Sequence, residues 1–158
     1  MQPSMMKKTD KTKGYEVEIT KRKRLDPLSK AQRSERMTRI RSRDTQPEIA
    51  LRKLVFSLGY RYRLHDGRLP GRPDLVFRSR HCVIFMHGCF WHQHACETYR
   101  QPASSTWFWS QKLASNVLRD VEVERTLTRQ GWRSLVVWEC ELRSNPEKIA
   151  WKVIRFLR

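Results

Sequence analysis

The chain predicts an α/β fold, a mixed sheet flanked by helices, and three observations lead there. Apolar stripes at helical spacing alternate with short runs rich in Val, Ile, Phe and Trp. Helix-start signals and glycine stops bracket the stripes, and turn-forming Asp66-Gly67 and Pro70-Gly71-Arg72-Pro73 separate the β-rich runs. A length of 158 residues, 39% hydrophobic with six Trp and six Phe, is enough for one compact core.

Taken in order, residues 1–27 hold Lys7-Lys8, Lys11, Lys13 and Lys21-Arg22-Lys23-Arg24 among scattered apolar residues, too few to bury. They read as a basic, disordered arm, either a DNA tether or a tail that adds solubility. Residues 28–158 form a single domain. From Ser29 onward, Arg33, Arg36, Arg39, Arg41 and Arg43 recur among Met37 and Ile40, which suits a short basic helix along a phosphate backbone. Thr45-Gln46-Pro47-Glu48 matches a capping box with proline in the first turn, and Leu51, Leu54, Val55 and Leu58 follow as one stripe stopped by Gly59. Strands are expected from Tyr60 to Leu64, Asp74 to Arg78, Cys82 to Met86 and Trp132 to Glu139. A long helix from about Thr106 to Arg129 turns Leu113, Val117 and Leu127 to the core and stops at Gly131. Asn145-Pro146-Glu147 starts a last helix that carries Ile149, Val153, Phe156 and Leu157.

A formal charge of +17 points to a polyanionic partner, because Lys and Arg placed on phosphates release condensed counterions. Nucleic acid leads; a ribosomal or membrane-surface role also fits the charge. No run approaches the ~20 apolar residues that span a bilayer, and the basic N-terminus lacks the apolar core of a signal peptide, so a soluble intracellular protein is expected. In that setting cysteines that share a loop with histidines read as reduced ligands.

Chemistry concentrates in the stretch Phe85-Met86-His87-Gly88-Cys89-Phe90-Trp91-His92-Gln93-His94-Ala95-Cys96, which holds three of the five histidines and two of the four cysteines. Cys89, His94 and Cys96 make a C-x4-H-x-C set that closes on Cys140, at the end of the strand Leu135 to Glu139, as a four-coordinate zinc site. Cys82 opens an apolar strand and reads as a small buried residue. Asp74, after Pro73, and a backbone carbonyl freed at the end of the next strand, at Met86, would meet as a hard oxygen pair suited to Mg²⁺. Phosphodiester hydrolysis needs an activated water, charge stabilisation and help for the leaving oxygen. His92 suits the base and His87 a donor to phosphate. A lone Asp beside a turn is also a common structural feature. Asp120 either orients a histidine or faces solvent, and the capping box accounts for Glu48 without further function. Phe90 and Trp91 suit an apolar wedge between base steps, with Trp107, Phe108 and Trp109 either joining them or packing as core.

These motifs, in this order, resemble the very-short-patch (Vsr) DNA mismatch-repair endonucleases. The likeness rests on Leu69-Pro70-Gly71-Arg72-Pro73-Asp74, Cys82-Val83-Ile84-Phe85, His87-Gly88-Cys89-Phe90-Trp91-His92, Phe108-Trp109, Asn116-Val117 with Asp120, Gly131-Trp132-Arg133 and Val137-Trp138-Glu139-Cys140. It runs from about Ser29 to Leu142. The resemblance implies a restriction-endonuclease-like core, a structural zinc site, and Mg²⁺-dependent nicking of duplex DNA 5′ of the thymine in T·G mismatches left by 5-methylcytosine deamination.

The same resemblance assigns roles. Asp74 and the Met86 carbonyl would bind Mg²⁺; His92, assisted by Asp120, would activate water; His87 would face the phosphate. Cys89, His94, Cys96 and Cys140 match the zinc ligands, Phe90, Trp91 and Trp109 the intercalating wedge, and Met37 a residue entering from the other groove. Glu48 matches an acid near the site. Met86 stands where the family often has threonine, Gln93 and Ala95 thin a histidine-rich stretch, and, as in the family, no second acid and lysine follow Asp74 in the usual restriction-enzyme pattern. A monomeric, cytoplasmic, nucleoid-associated bacterial enzyme is implied, with functional links to a cytosine-5 DNA methyltransferase and to mismatch-repair proteins. Two other readings compete: a zinc-stabilised DNA-binding protein without catalysis, and a restriction endonuclease that cuts paired DNA.

Overall fold

A computed structural model describes residues 29–38, 43–102 and 106–158; the predicted arm over residues 1–27 lies outside the described residues. The fold is a mixed four-stranded sheet with helices on both faces. Elements follow as α1 (Lys30–Thr38), α2 (Gln46–Ser57), β1 (Arg63–Leu64), β2 (Leu75–Phe77), β3 (Cys82–His87), α3 (Thr106–Arg129), β4 (Arg133–Trp138), α4 (Glu139–Ser144) and α5 (Pro146–Leu157). The strands lie in sequence order; β1, β2 and β3 pair antiparallel, and β3 and β4 pair parallel from Cys82 opposite Arg133 to His87 opposite Trp138.

Period-2 alternation sorts the strand side chains between two cores. Leu75, Phe77, Cys82 and Ile84 join Leu51 and Val55 of α2, Leu142 of α4, and Ile149, Val153 and Leu157 of α5 on one face. Val76 and Val83 meet Leu127 on the other, with Phe85, Val123 and Trp132 packed around them. Cys82 is a buried core residue of the first face, as expected of a strand opener.

Several boundaries depart from the sequence reading. The first strand shrinks to Arg63–Leu64, because Tyr60 and Tyr62 set their rings edge-on to Phe77, 6.4 and 6.1 Å between centroids, and the Tyr62 hydroxyl bonds the Arg52 carbonyl. The second strand stops at Phe77, where Arg78–Arg80 form a 3-10 turn closed by His81 at φ 49°. Thr45 makes no side-chain cap; its hydroxyl instead donates to Glu48 Oε1 (2.9 Å), while Glu48 Oε2 accepts the Asp44 amide (2.9 Å), so the expected reciprocal box does not form. Strand β4 ends one residue early, at Trp138, and Cys140 lies in the first turn of α4, a helix too short to show a sequence period. Trp107 and Phe108 stay exposed at the start of α3, so of the three aromatic residues there only Trp109 is half-buried.

The turn before β2 is held by a close approach. Gly71 has φ 73°, and a Cβ built on it would stand 2.5 Å from Val123 Cγ1 on α3. Gly71→Ala therefore should lower unfolding free energy by about 2 kcal/mol, with Val123→Ala in the same chain restoring part of it, as read by denaturant melts. An unchanged midpoint for the single variant would refute the tight packing of this turn.

Candidate active site

A cleft of about 1010 Å³ opens where β2 begins and β3 ends, and α2, the turn before β2, the loop after β3 and α3 line it. Asp74 stands at its floor, with Oδ2 accepting the Met86 amide at 2.7 Å. Leu75 pairs with Ile84, so a continued ladder would set Met86 opposite residue 73. Pro73 has no N–H to give, which leaves the Met86 carbonyl without a ladder partner, pointing to the same strand edge as the amide that bonds Asp74. Burial, aided by Glu48 and opposed by the Met86 amide, pushes the Asp74 carboxyl up to about 6. A carboxylate held at such cost beside a freed carbonyl is a donor set that fits a hard divalent cation such as Mg²⁺.

His87, the last residue of β3, stacks on His92 at 3.7 Å and 9° between planes. Burial, and then the neighbouring His92, push His87 down to about 4, so it is neutral at pH 7. The loop after β3 folds back through His92 N–H to Gly88 C=O, and His92 Nδ1 bonds the Asp120 carboxylate on α3. Four residues earlier on the same helix, buried Asn116 donates from Nδ2 to the Trp91 carbonyl at 3.1 Å. Residues four apart share a helix face, so α3 grips two consecutive loop residues at once. In the sequence Asn116 stands out only as part of the Asn116-Val117 motif, and its spacing of four from Asp120 was the available signal.

Cys89, His94, Cys96 and Cys140 bring one donor atom each within 4.8 Å of one another. His94 Nδ1 lies 3.3 Å from Cys140 Sγ and 3.7 Å from Cys89 Sγ, close to the roughly 3.5–3.8 Å edges of a tetrahedron drawn at zinc-ligand bond lengths. Trp138 stacks flat on His94 (4.1 Å, 6°) and fixes its ring. Burial, and then the Cys89 and Cys96 sulfurs beside it, push the Cys140 thiol up to about 12, while the Thr98 hydroxyl draws Cys96 down to about 6. Three sulfurs this close cannot all ionise without a cation between them, so the donor set fits a thiophilic metal such as zinc.

Phe90, Trp91 and Trp109 form one partly exposed aromatic cluster, with Phe90 edge-on to both indoles at 5.0 and 5.3 Å. Met37 belongs to α1, and its side chain lies outside the described residues. Glu48 is buried on the cleft wall, with His65 beside it. Arg52, which the sequence reading passed over, reaches Glu48 Oε2 at 3.0 Å; its position four residues after Glu48 was the signal. His65, at φ 45°, gave no sequence signal.

A basic α/β protein with a carboxylate-and-histidine cleft beside a thiol-rich cluster that could hold a metal has the equipment of a nuclease. A family model described as DNA mismatch endonuclease Vsr matches residues 25–98. The chain is 50% identical over 117 residues to a type II nicking enzyme of Xanthomonas oryzae pv. oryzae, covering 74% of this chain and 86% of that protein. It is 48% identical over 122 residues to the DNA mismatch endonuclease Vsr of Escherichia coli K12, covering 77% and 78%. A type II nicking enzyme of Neisseria meningitidis serogroup A is 42% identical over 120 residues, covering 76% and 86%. The chain belongs to the Vsr family of DNA mismatch endonucleases. Among the described residues, no helix is long and apolar enough to cross a membrane.

Two buried groups pull stability in opposite directions with pH. Asp74, raised from 3.8 to about 6, holds its proton more tightly in the fold, so its contribution is full below pH 3.8 and is lost as pH rises through 6. His87, lowered from 6.5 to about 4, contributes stability above pH 6.5 that is lost as pH falls through 4. Asp74→Asn keeps an acceptor for the Met86 amide and removes the first effect. In metal-free protein at pH 7.5 it should be more stable than wild type by about 2–3 kcal/mol, a gap that closes at pH 4. Parallel melting profiles for the two proteins across this range would sink the burial cost assigned to Asp74.

Proposed function

We propose that this enzyme nicks one strand of duplex DNA 5′ of the thymine in T·G mismatches that arise from 5-methylcytosine deamination, and so starts very-short-patch repair. One observation carries the catalytic part: Asp74, His87, His92 and Asp120 come from four separate elements and face a single cleft. The sandwich is then a restriction-endonuclease-like core. Residues 28–158 are the catalytic domain, and the basic arm adds salt-sensitive affinity for DNA. The enzyme acts as a monomer in the bacterial cytoplasm at the nucleoid, downstream of a cytosine-5 DNA methyltransferase and alongside mismatch-repair proteins.

Asp74 and the Met86 carbonyl would hold Mg²⁺, which when bound polarises phosphate oxygens and makes water a stronger acid. Asp120 occupies His92 Nδ1, which leaves the Nε2 lone pair as the base that takes a proton from the attacking water. The carboxylate then stabilises the imidazolium that forms. His87, neutral and stacked on His92, donates an N–H to a phosphate oxygen without adding a competing positive charge. Glu48 stands beside Asp74 as a further acid of the cleft. Phe90, Trp91 and Trp109 are the wedge that unstacks the mismatch, with Met37 entering from the opposite groove. Cys89, His94, Cys96 and Cys140 hold a structural zinc that stiffens the loop bearing both wedge and base.

Strand-labelled heteroduplexes with T·G in several flanking contexts and with Mg²⁺ should be cut on the thymine strand alone. Asp74→Ala should abolish cutting, and His92→Ala should slow it by roughly 10²–10⁴-fold. Equal cutting of fully paired duplex would instead favour a restriction enzyme, and tight binding with no cutting a DNA-binding protein. For the second metal, elemental analysis should return one zinc per chain, and Cys140→Ala should lose it together with several degrees of melting temperature; a zinc-free variant melting like wild type would reject the structural role.

A further inference from the structure

Asp44, Glu48 and His65 form a third group of potential metal ligands, with their donor atoms within 4.8 Å of one another on the α2 side of the cleft. Its centre is already occupied by the chain's own guanidinium. Arg52 Nη1 lies 2.5 Å from Asp44 Oδ1, and Nη2 lies 3.0 Å from Glu48 Oε2 and 2.9 Å from His65 Nε2. A guanidinium can only donate, so His65 Nε2 is the acceptor of this bond. Those are the bonds a divalent ion would draw from the same three residues. The side chain is 14% exposed, so its charge acts at low screening.

The position of the charge matters as much as its contacts. Glu48, buried, and Asp74, half-buried, are two acids in one cleft, and Glu48 disfavours ionisation of Asp74 while Arg52 favours it. Glu48 also accepts the Asp44 amide and the Thr45 hydroxyl, so the guanidinium completes a set that leaves it one orientation. We propose that Arg52 is a tethered cation that fills the pocket between Asp44, Glu48 and His65, holding Glu48 oriented beside Asp74 where a second divalent ion would otherwise bind. The inference rests on the Mg²⁺-dependent nicking reading for its bearing on rate, but its central consequence, an ion count, does not require catalysis.

The test is a Mn²⁺ titration of the zinc-loaded, DNA-free full chain, with free Mn²⁺ read by electron paramagnetic resonance. Arg52→Ala should bind one more Mn²⁺ than wild type. Arg52→Ala with Glu48→Gln, which also removes the buried charge left unpaired, should return to the wild-type count. Arg52→Lys, which keeps a cation but not the fork, should match wild type. An Arg52→Ala chain with a native melting transition and no additional Mn²⁺ overturns the proposal, and so does an additional ion in Arg52→Lys. In nicking assays Arg52→Ala should be slower by about 10–100-fold, with part of the rate restored by added guanidinium ion or by raised Mg²⁺. Slowing that neither restores counts against the role. A wild-type protein that fails to nick T·G duplexes would refute the proposed function and leave the difference in ion count to decide the role of Arg52.

Discussion

Parallel pairing of β3 with β4 is the constraint on which this site depends. Two strands that run the same way cannot be joined by a tight turn, so the chain must cross over the sheet, and α3 is that crossing. The pairing delivers His87 and Trp138 side by side at one end of the sheet. From there β3 releases the loop that carries Cys89 to Cys96, and β4 releases α4 with Cys140. The crossover helix returns over the same end and supplies Asn116 and Asp120. The cleft and the Cys/His cluster thus share one strand pair, with Trp138 in edge contact with His87 and flat against His94.

Local chemistry then sharpens what topology brings together. Proline at position 73 ends a ladder and frees a carbonyl, glycine at 71 lets the preceding turn press on α3, and the two contacts of α3 with Trp91 and His92 set the loop's orientation. Stability is spent in the same place. Asp74 and His87 are titratable groups largely taken out of water, and burial shifts each toward its neutral form, raising the Asp74 carboxyl and lowering the His87 imidazole. Such groups are tolerated where the surrounding packing is strong: apolar residues of β2 and β3 fill both faces of the sheet beside them. A cation supplied by the chain itself, Arg52, eases the crowding of acids on the α2 side.

Much of this was legible in the residues. The long helix α3 was expected over the span it occupies, because a glycine stop and a long apolar stripe mark it, and the last helix was marked by Asn145 and Pro146, where the Asn145 side chain accepts the Lys148 amide. The cysteines and histidines that gather into one cluster were named from spacing and ligand type, as were the acid and histidines that share the cleft. The readings that moved were local: a first strand cut to two residues by tyrosines that pack instead of pairing, a capping box replaced by a different set of bonds to Glu48, and a cysteine carried on a short helix instead of a strand end.

Side-chain chemistry and element order were therefore written in the chain, since both depend on residue type and on spacing of a few positions. Which atoms meet was not, because that depends on register and on packing between segments far apart in sequence. Asp74 meets the Met86 amide through one strand register; Asp120 meets His92 Nδ1 across 28 positions; Arg52 meets His65 across 13. The shifted titration of Asp74 and His87 follows from burial and close neighbours, quantities that exist only once the cleft has formed.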